Sequence, residues 1–133
     1  MRFLHGTSER DWLIIQQSGG LRNPYLTTHE TVAWFFAETA ADDARSSPVI
    51  LDVEVVNLEK LEADLPMFQE TIMEVLDELG YRSSADYHAA VKEGLVPWPR
   101  SARDWGTSLK TIGSVRYWGV IPAERVKVYD RAT

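Results

Sequence analysis

Alternation of apolar and polar positions is clearest at Val49–Val55, which reads VILDVEV. Val49, Leu51, Val53 and Val55 share one face, and Asp52 and Glu54 the other, as in a strand buried on one side. Elsewhere the apolar spacing is helical. Ser8 stands where it can cap a helix over Glu9–Gln17, with Gly19 as its stop. Thr27-Thr28-His29-Glu30 has the spacing of a capping box, with Thr27 as cap and Glu30 reaching back. The helix it opens runs to about Ala41 and carries Val32, Phe36 and Ala40 on one face. Pro66 suits the first turn of a helix to Leu79. Phe68, Ile72, Val75, Leu76 and Leu79 stripe that helix, and Gly80 ends it. A shorter helix, about Ala85–Lys92, stops at Gly94, and Pro97-Trp98-Pro99 makes a rigid loop. Short strands are predicted at Arg2–His5 and Tyr25–Thr27. The chain closes with Ser114–Ile121, a turn at Pro122 and a strand over Arg125–Asp130. Strands at both ends with helices between them predict an α+β fold.

Composition narrows the classes. A length of 133 residues suits one domain, 1–133. The chain is 44% hydrophobic and 11% aromatic, which supplies a core and is far from a disordered composition. With no cysteine, disulfides, thiol nucleophiles and cysteine-based zinc sites are excluded. No apolar run approaches the roughly 20 residues that cross a bilayer. The start lacks the basic then apolar pattern of a leader, so a cytoplasmic protein with no membrane partner is expected. The net charge of −6 weighs against sequence-independent nucleic-acid binding, although Arg100, Arg103 and Lys110 offer a local basic patch.

Candidate chemistry gathers early in the chain. In FLHGT a histidine follows an apolar pair where a strand ends, and glycine follows the histidine. Taken singly, His5 reads as a satisfied structural histidine. Gly6 changes that, because glycine lets a ligand lie against the backbone, whose N–H and C=O can read a planar amide edge. Thr7 and Ser8 add hydroxyls. In PYLTTHE, Tyr25 begins a short strand before a capped helix, where its ring is either a stacking wall or ordinary core. His29 and His88 have no partner at metal-ligand spacing, so no metal site is expected.

The order of these features resembles the ADP-ribosyltransferase-like superfamily, in its branch with a His–Tyr–acid triad. That order is a strand ending in His5-Gly6-Thr7, an amphipathic helix, Gly-Gly, Tyr25-Leu26-Thr27, a helix, then VILDVEV. The ending SVRYWGVIPAERV is similar to the last strand pair of the same superfamily. Within the branch the chain looks most like the small rifampicin ADP-ribosyltransferases. DarT-type toxins and RNA 2′-phosphotransferases are further members. The resemblance covers residues 2–56 and 112–130. Residues 65–105 stand outside it as a helical insertion. It implies split antiparallel sheets with flanking helices and a cleft for NAD. His5 would then bond the adenosine ribose, Gly6 would hold the nicotinamide carboxamide through its main chain, Thr7 would support them, and Tyr25 would stack on the nicotinamide ring.

One departure stands out. Counting back from Ile121-Pro122, the superfamily's acid position falls on Ser114, with Arg116 two residues on. The rifampicin-modifying branch takes its acid from just after the VILDVEV-like strand, which here offers Glu62 and Asp64. Asp64 is preferred, because it directly precedes a helix start. Arg116 would bind phosphate. The expected activity is mono-ADP-ribosyl transfer from NAD to an acceptor, with nicotinamide release. An NAD-dependent RNA 2′-phosphotransferase and a non-catalytic nucleotide binder are the alternatives. The insertion, with Tyr87, Trp98 and Trp105, is the expected surface for the acceptor.

Overall fold

A computed structural model describes residues 1–130. The order is β1 (Arg2–Ser8), α1 (Glu9–Ser18), β2 (Gly20–Arg22), β3 (Tyr25–Thr27), α2 (Glu30–Ala44), β4 (Pro48–Glu54), β5 (Leu61–Ala63), α3 (Leu65–Gln69), α4 (Met73–Leu79), α5 (Ser84–Lys92), α6 (Trp105–Ile112), β6 (Ser114–Tyr117), β7 (Val120–Pro122) and β8 (Val126–Val128). The fold is α+β, as the pattern predicts. A six-stranded sheet runs β5-β6-β3-β1-β4-β8, and β2 pairs with β7 in a second, two-stranded sheet. Every pairing is antiparallel.

The predicted face of β4 is buried, but the strand is not buried on one side only: Ile50, on the opposite face, packs with Ala33 and Ala37 of α2. Leu51, Val53 and Val55 are buried together with Phe3, Leu26, Leu61, Val115 and Tyr117. A second cluster lies under the helices and joins Val32, Met67, Phe68, Val75, Leu76, Tyr87 and Ile112. Residues 65–105 are thus mainly helical and build their own core against α2 and α6. Among the described residues no helix is long and apolar enough to cross a membrane.

Several expectations need correction. The helix from Pro66 to Leu79 is two helices, α3 and α4. Thr71 ends the first by donating its hydroxyl to the carbonyl of Met67 at 2.8 Å. The predicted capping box does not form. Thr27 belongs to β3, and its hydroxyl accepts from the His29 amide, so α2 begins at Glu30 with His29 as its cap residue. The buried face of α2 is Val32, Ala33, Ala37 and Ala41, while Phe36 is exposed. The alanines win because α2 lies directly on β1, where only small side chains fit. The strand read as Ser114–Ile121 is broken at Trp118-Gly119, so β6 and β7 serve different sheets. The strands β2 and β5, each three residues long, and helix α6 were not foreseen.

Candidate functional site

Hydrogen-bond alternation decides which backbone groups meet a ligand. In an antiparallel ladder, bonded pairs recur at every second residue. Glu9 N–H bonds Ser47 C=O and Val55 N–H bonds Met1 C=O, so the odd-numbered residues of β1 bond to β4. The N–H and C=O of Leu4 and Gly6 therefore point the other way, toward β3. There the register pairs only Leu4 with Thr27. Beyond that pair β1 and β3 part, and the Gly6 backbone faces the gap.

Residues on both sides of this gap, Gly6 and Tyr25, line a cavity of about 490 Å³. That lies within the usual range for small-molecule sites. His5, Gly6, Tyr25, Asp64 and Ser114 all line it. Thus one cavity collects residues from β1, β3, the end of β5 and the start of β6. Phe36, Thr39 and Asp43 of α2 close one side, and Met67, Glu70 and Ile72 close another. None of these six was singled out from sequence. From sequence Phe36 and Ile72 read only as members of apolar helix stripes, and the exposed face of α2 gives no separate signal.

His5 is held by an unusual partner. Tyr117 N–H bonds Pro24 C=O, so the alternation gives Pro24 and Leu26 to β6 and turns the Tyr25 carbonyl toward β1. That carbonyl lies 2.7 Å from His5 Nδ1. A carbonyl can only accept, so Nδ1 carries the proton and Nε2 is left as an acceptor. Burial lowers the His5 pKa from its ordinary value and so favours the neutral ring, an effect partly countered by the bond to the Tyr25 carbonyl. His5 can therefore accept from a ligand hydroxyl.

Gly6 has two duties. A Cβ there would collide with the Ala33 carbonyl and the Ala37 amide of α2. The side chain is absent because helix backbone lies on that face, and not because a ligand does. Its polar backbone groups still face the cavity. Thr7 is buried, paired with Val49, and does not line the cavity.

Tyr25 is 41% exposed. The Arg116 guanidinium sits 4.8 Å from its ring centroid and 4.1 Å from that of Trp118. Both contacts are cation–π arrangements. They leave Tyr25 the opposite face for a ligand. Arg116 Nε is buried without a hydrogen-bond partner among the described residues. Arg116 lies outside the cavity lining, as does Glu62, which accepts a hydrogen bond from Trp118 Nε1.

Asp64 stands one residue past β5, whose last register pair is Ala63 with Val115. Continued pairing would set Asp64 opposite Ser114. The carboxylate thus reaches the cavity from the strand beside the position where the superfamily acid was expected. It is 4% exposed, and Oδ1 accepts from the Met67 amide at 3.2 Å. Burial raises its pKa from 3.8 to about 6, against the Met67 bond and the Arg116 charge. Near neutral pH it is ionised yet little hydrated, the state in which a carboxylate interacts most with a nearby cation.

The aromatic residues expected to form a contact surface divide. Tyr87 is fully buried and donates to the Phe68 carbonyl at 2.9 Å, so it is core and not surface. Trp105 packs partly buried against the sheet cluster. Trp98 is 39% exposed, with its ring 5.0 Å from that of Phe68. His29 occupies the N-cap position of α2 without a capping side-chain bond and lies 3.8 Å from Glu78, and His88 bonds its own helix. Among the described residues no group of three or more histidines and carboxylates is gathered as metal ligands. No protein-family model, curated protein or solved structure matches this chain.

Proposed function

We propose that the protein cleaves the nicotinamide–ribose bond of NAD and transfers ADP-ribose to an acceptor, within an ADP-ribosyltransferase-like fold. The observation that carries this reading is the single cavity lined by His5, Gly6, Tyr25 and Asp64. Each has the chemistry one part of the dinucleotide requires. His5 Nε2 accepts from a ribose hydroxyl. The Gly6 N–H and C=O read the carboxamide edge. The free face of Tyr25 stacks on the pyridinium ring. Asp64 stabilises the oxocarbenium-like ribose that forms as nicotinamide leaves. Asp43, Asp64 and Glu70 line the cavity, and among the described residues no lysine or arginine does. Such a lining suits the cationic nicotinamide riboside half. The pyrophosphate belongs outside, where Arg116 supplies a guanidinium beyond Tyr25.

The test is incubation with NAD labelled in its adenylate half and a cell lysate, with released nicotinamide measured in parallel. Nicotinamide release with label in protein, nucleic acid or a small molecule supports transfer and names the acceptor class. Release confined to 2′-phosphorylated RNA substrates would move the assignment to the phosphotransferase. If the parent is inactive and Ser114→Glu creates turnover, the chain is a binder that has lost its chemistry.

A further inference from the structure

The pairing of β5 with β6 stops one step short of the site. Trp118 N–H bonds Lys60 C=O at 2.9 Å, and Glu62 pairs with Arg116 in register. Bonded pairs recur every second residue, so the next would join Asp64 N–H to Ser114 C=O. That bond is replaced by a side chain. Ser108 Oγ accepts from Asp64 N–H at 2.9 Å and donates to Ser114 C=O at 2.6 Å. Ser108 is fully buried, and α6 carries it to this point, capped by Asp104 and ended at Gly113 one residue before β6. Serine in a helix commonly bonds its own backbone. Here both its donor and its acceptor are used between two strands.

We propose that Ser108 is a positioning residue for the candidate site: its hydroxyl is inserted where a β5–β6 ladder bond would lie, spaces the strands by one oxygen, and so turns Asp64 into the cavity. Direct pairing would extend β5 through residue 64 and draw its backbone onto β6. With the hydroxyl between them, the chain leaves the sheet at Asp64 with φ −86° and ψ 72°, and the carboxyl caps α3 beside the cavity. The proposal rests on the reading of Asp64 as the carboxylate of the site. Other charged groups around Asp64 are Arg116 from β6 and, lining the same cavity, His5, Asp43 and Glu70.

Nuclear magnetic resonance on the full chain separates positioning from simple fastening of α6. In the parent, no scalar coupling across a hydrogen bond is expected between the Asp64 amide nitrogen and the Ser114 carbonyl carbon. In Ser108→Ala the coupling appears as the strands close, and the Asp64 carboxyl titration midpoint moves by about half a pH unit or more as its surroundings change. Turnover of NAD falls roughly tenfold or more with KM within about twofold, because misplacing a catalytic group acts on the chemical step. Ser108→Thr, which keeps the oxygen, restores the parent titration. A direct coupling in the parent overturns the proposal, as does an unmoved Asp64 midpoint in folded Ser108→Ala. Should Ser108→Ala not fold, Ser108→Cys widens the same gap with sulfur, and an unmoved midpoint there overturns it too. A parent that releases no nicotinamide removes the proposed reaction, while the coupling and titration still judge where Ser108 holds Asp64.

Discussion

At the scale of single residues, Asp64 gives the sharpest expectations. Its folded pKa of about 6 exceeds the ordinary 3.8. A carboxyl raised in this way favours folding only while protonated. Its contribution is complete below pH 3.8 and is lost as pH rises through about 6. Asn at this position keeps a cap for α3 and cannot ionise. Asp64→Asn should therefore be more stable than the parent at pH 8, by on the order of 2–3 kcal/mol, with the gap closing toward pH 4. Denaturant melts across that range check this. The same variant should lose roughly 10²–10³ in nicotinamide release with little change in NAD affinity, and parent turnover should rise through about pH 6. Equal stability at pH 8 would show that the carboxyl is hydrated and not buried. Tyr25 is tested by two substitutions. Tyr25→Ala should weaken NAD binding by about 1 kcal/mol, while Tyr25→Phe keeps the ring and stays close to the parent. Calorimetric titration showing Phe as harmful as Ala would assign the role to the hydroxyl.

At the scale of elements, the contact of α2 with β1 sets the width of the cavity wall. Ala33 and Ala37 are fully buried, and Gly6 accepts their backbone at close range. Gly6→Ala must push α2 from β1. Because the obstructing atoms are main chain, no rotamer change relieves them. The expected cost is about 3 kcal/mol, at the upper end for overpacking, and NAD binding should fall with it. A melting temperature unchanged in Gly6→Ala would contradict the packing. The same helix shows why its stripe was misread. Val32, Phe36 and Ala40 lie at helical spacing, and the bulky ring draws attention to that face. Contact with a glycine-bearing strand selects the alanine face instead, and Phe36 is left to line the cavity. The break between α3 and α4 is also a side-chain effect. Thr71 satisfies the last carbonyls of α3, while Ile72 still packs with the helical cluster.

For the whole molecule, the cavity lies where the sheet meets the helical segment, and residues distant in sequence build it. Gly6, Asp43, Glu70 and Ser114 all share it. A ligand held there binds only the folded chain, so it must raise stability by mass action. At 100 times its dissociation constant, NAD should add about 2.7 kcal/mol, or roughly 10 °C in melting temperature for a domain of this size. No shift at millimolar NAD would sink the proposed function without touching the fold.

The sequence by itself determined the elements whose patterns are local. The VILDVEV strand, α1 with its Ser8 cap and Gly19 stop, and α5 ending before Gly94 follow from alternation, capping and turn residues within a few positions. His5, Gly6, Tyr25 and Asp64 were also legible as candidates, through residue type and order. What they share was not. The cavity exists because β1 parts from β3 after one register pair and because α2 lies on Gly6. The sequence favours Asp64 over Glu62 only through the helix start beside it, and the pairing of β5 with β6 separates them by sending Glu62 to Trp118 and Asp64 to the cavity. Strands of three residues, such as β2 and β5, carry too little pattern to be read alone, and they form because a partner strand supplies their hydrogen bonds. Ser108 was silent for the same reason: its significance lies in the two backbone groups it joins, 44 and 6 residues away, and only the folded chain brings them to one oxygen.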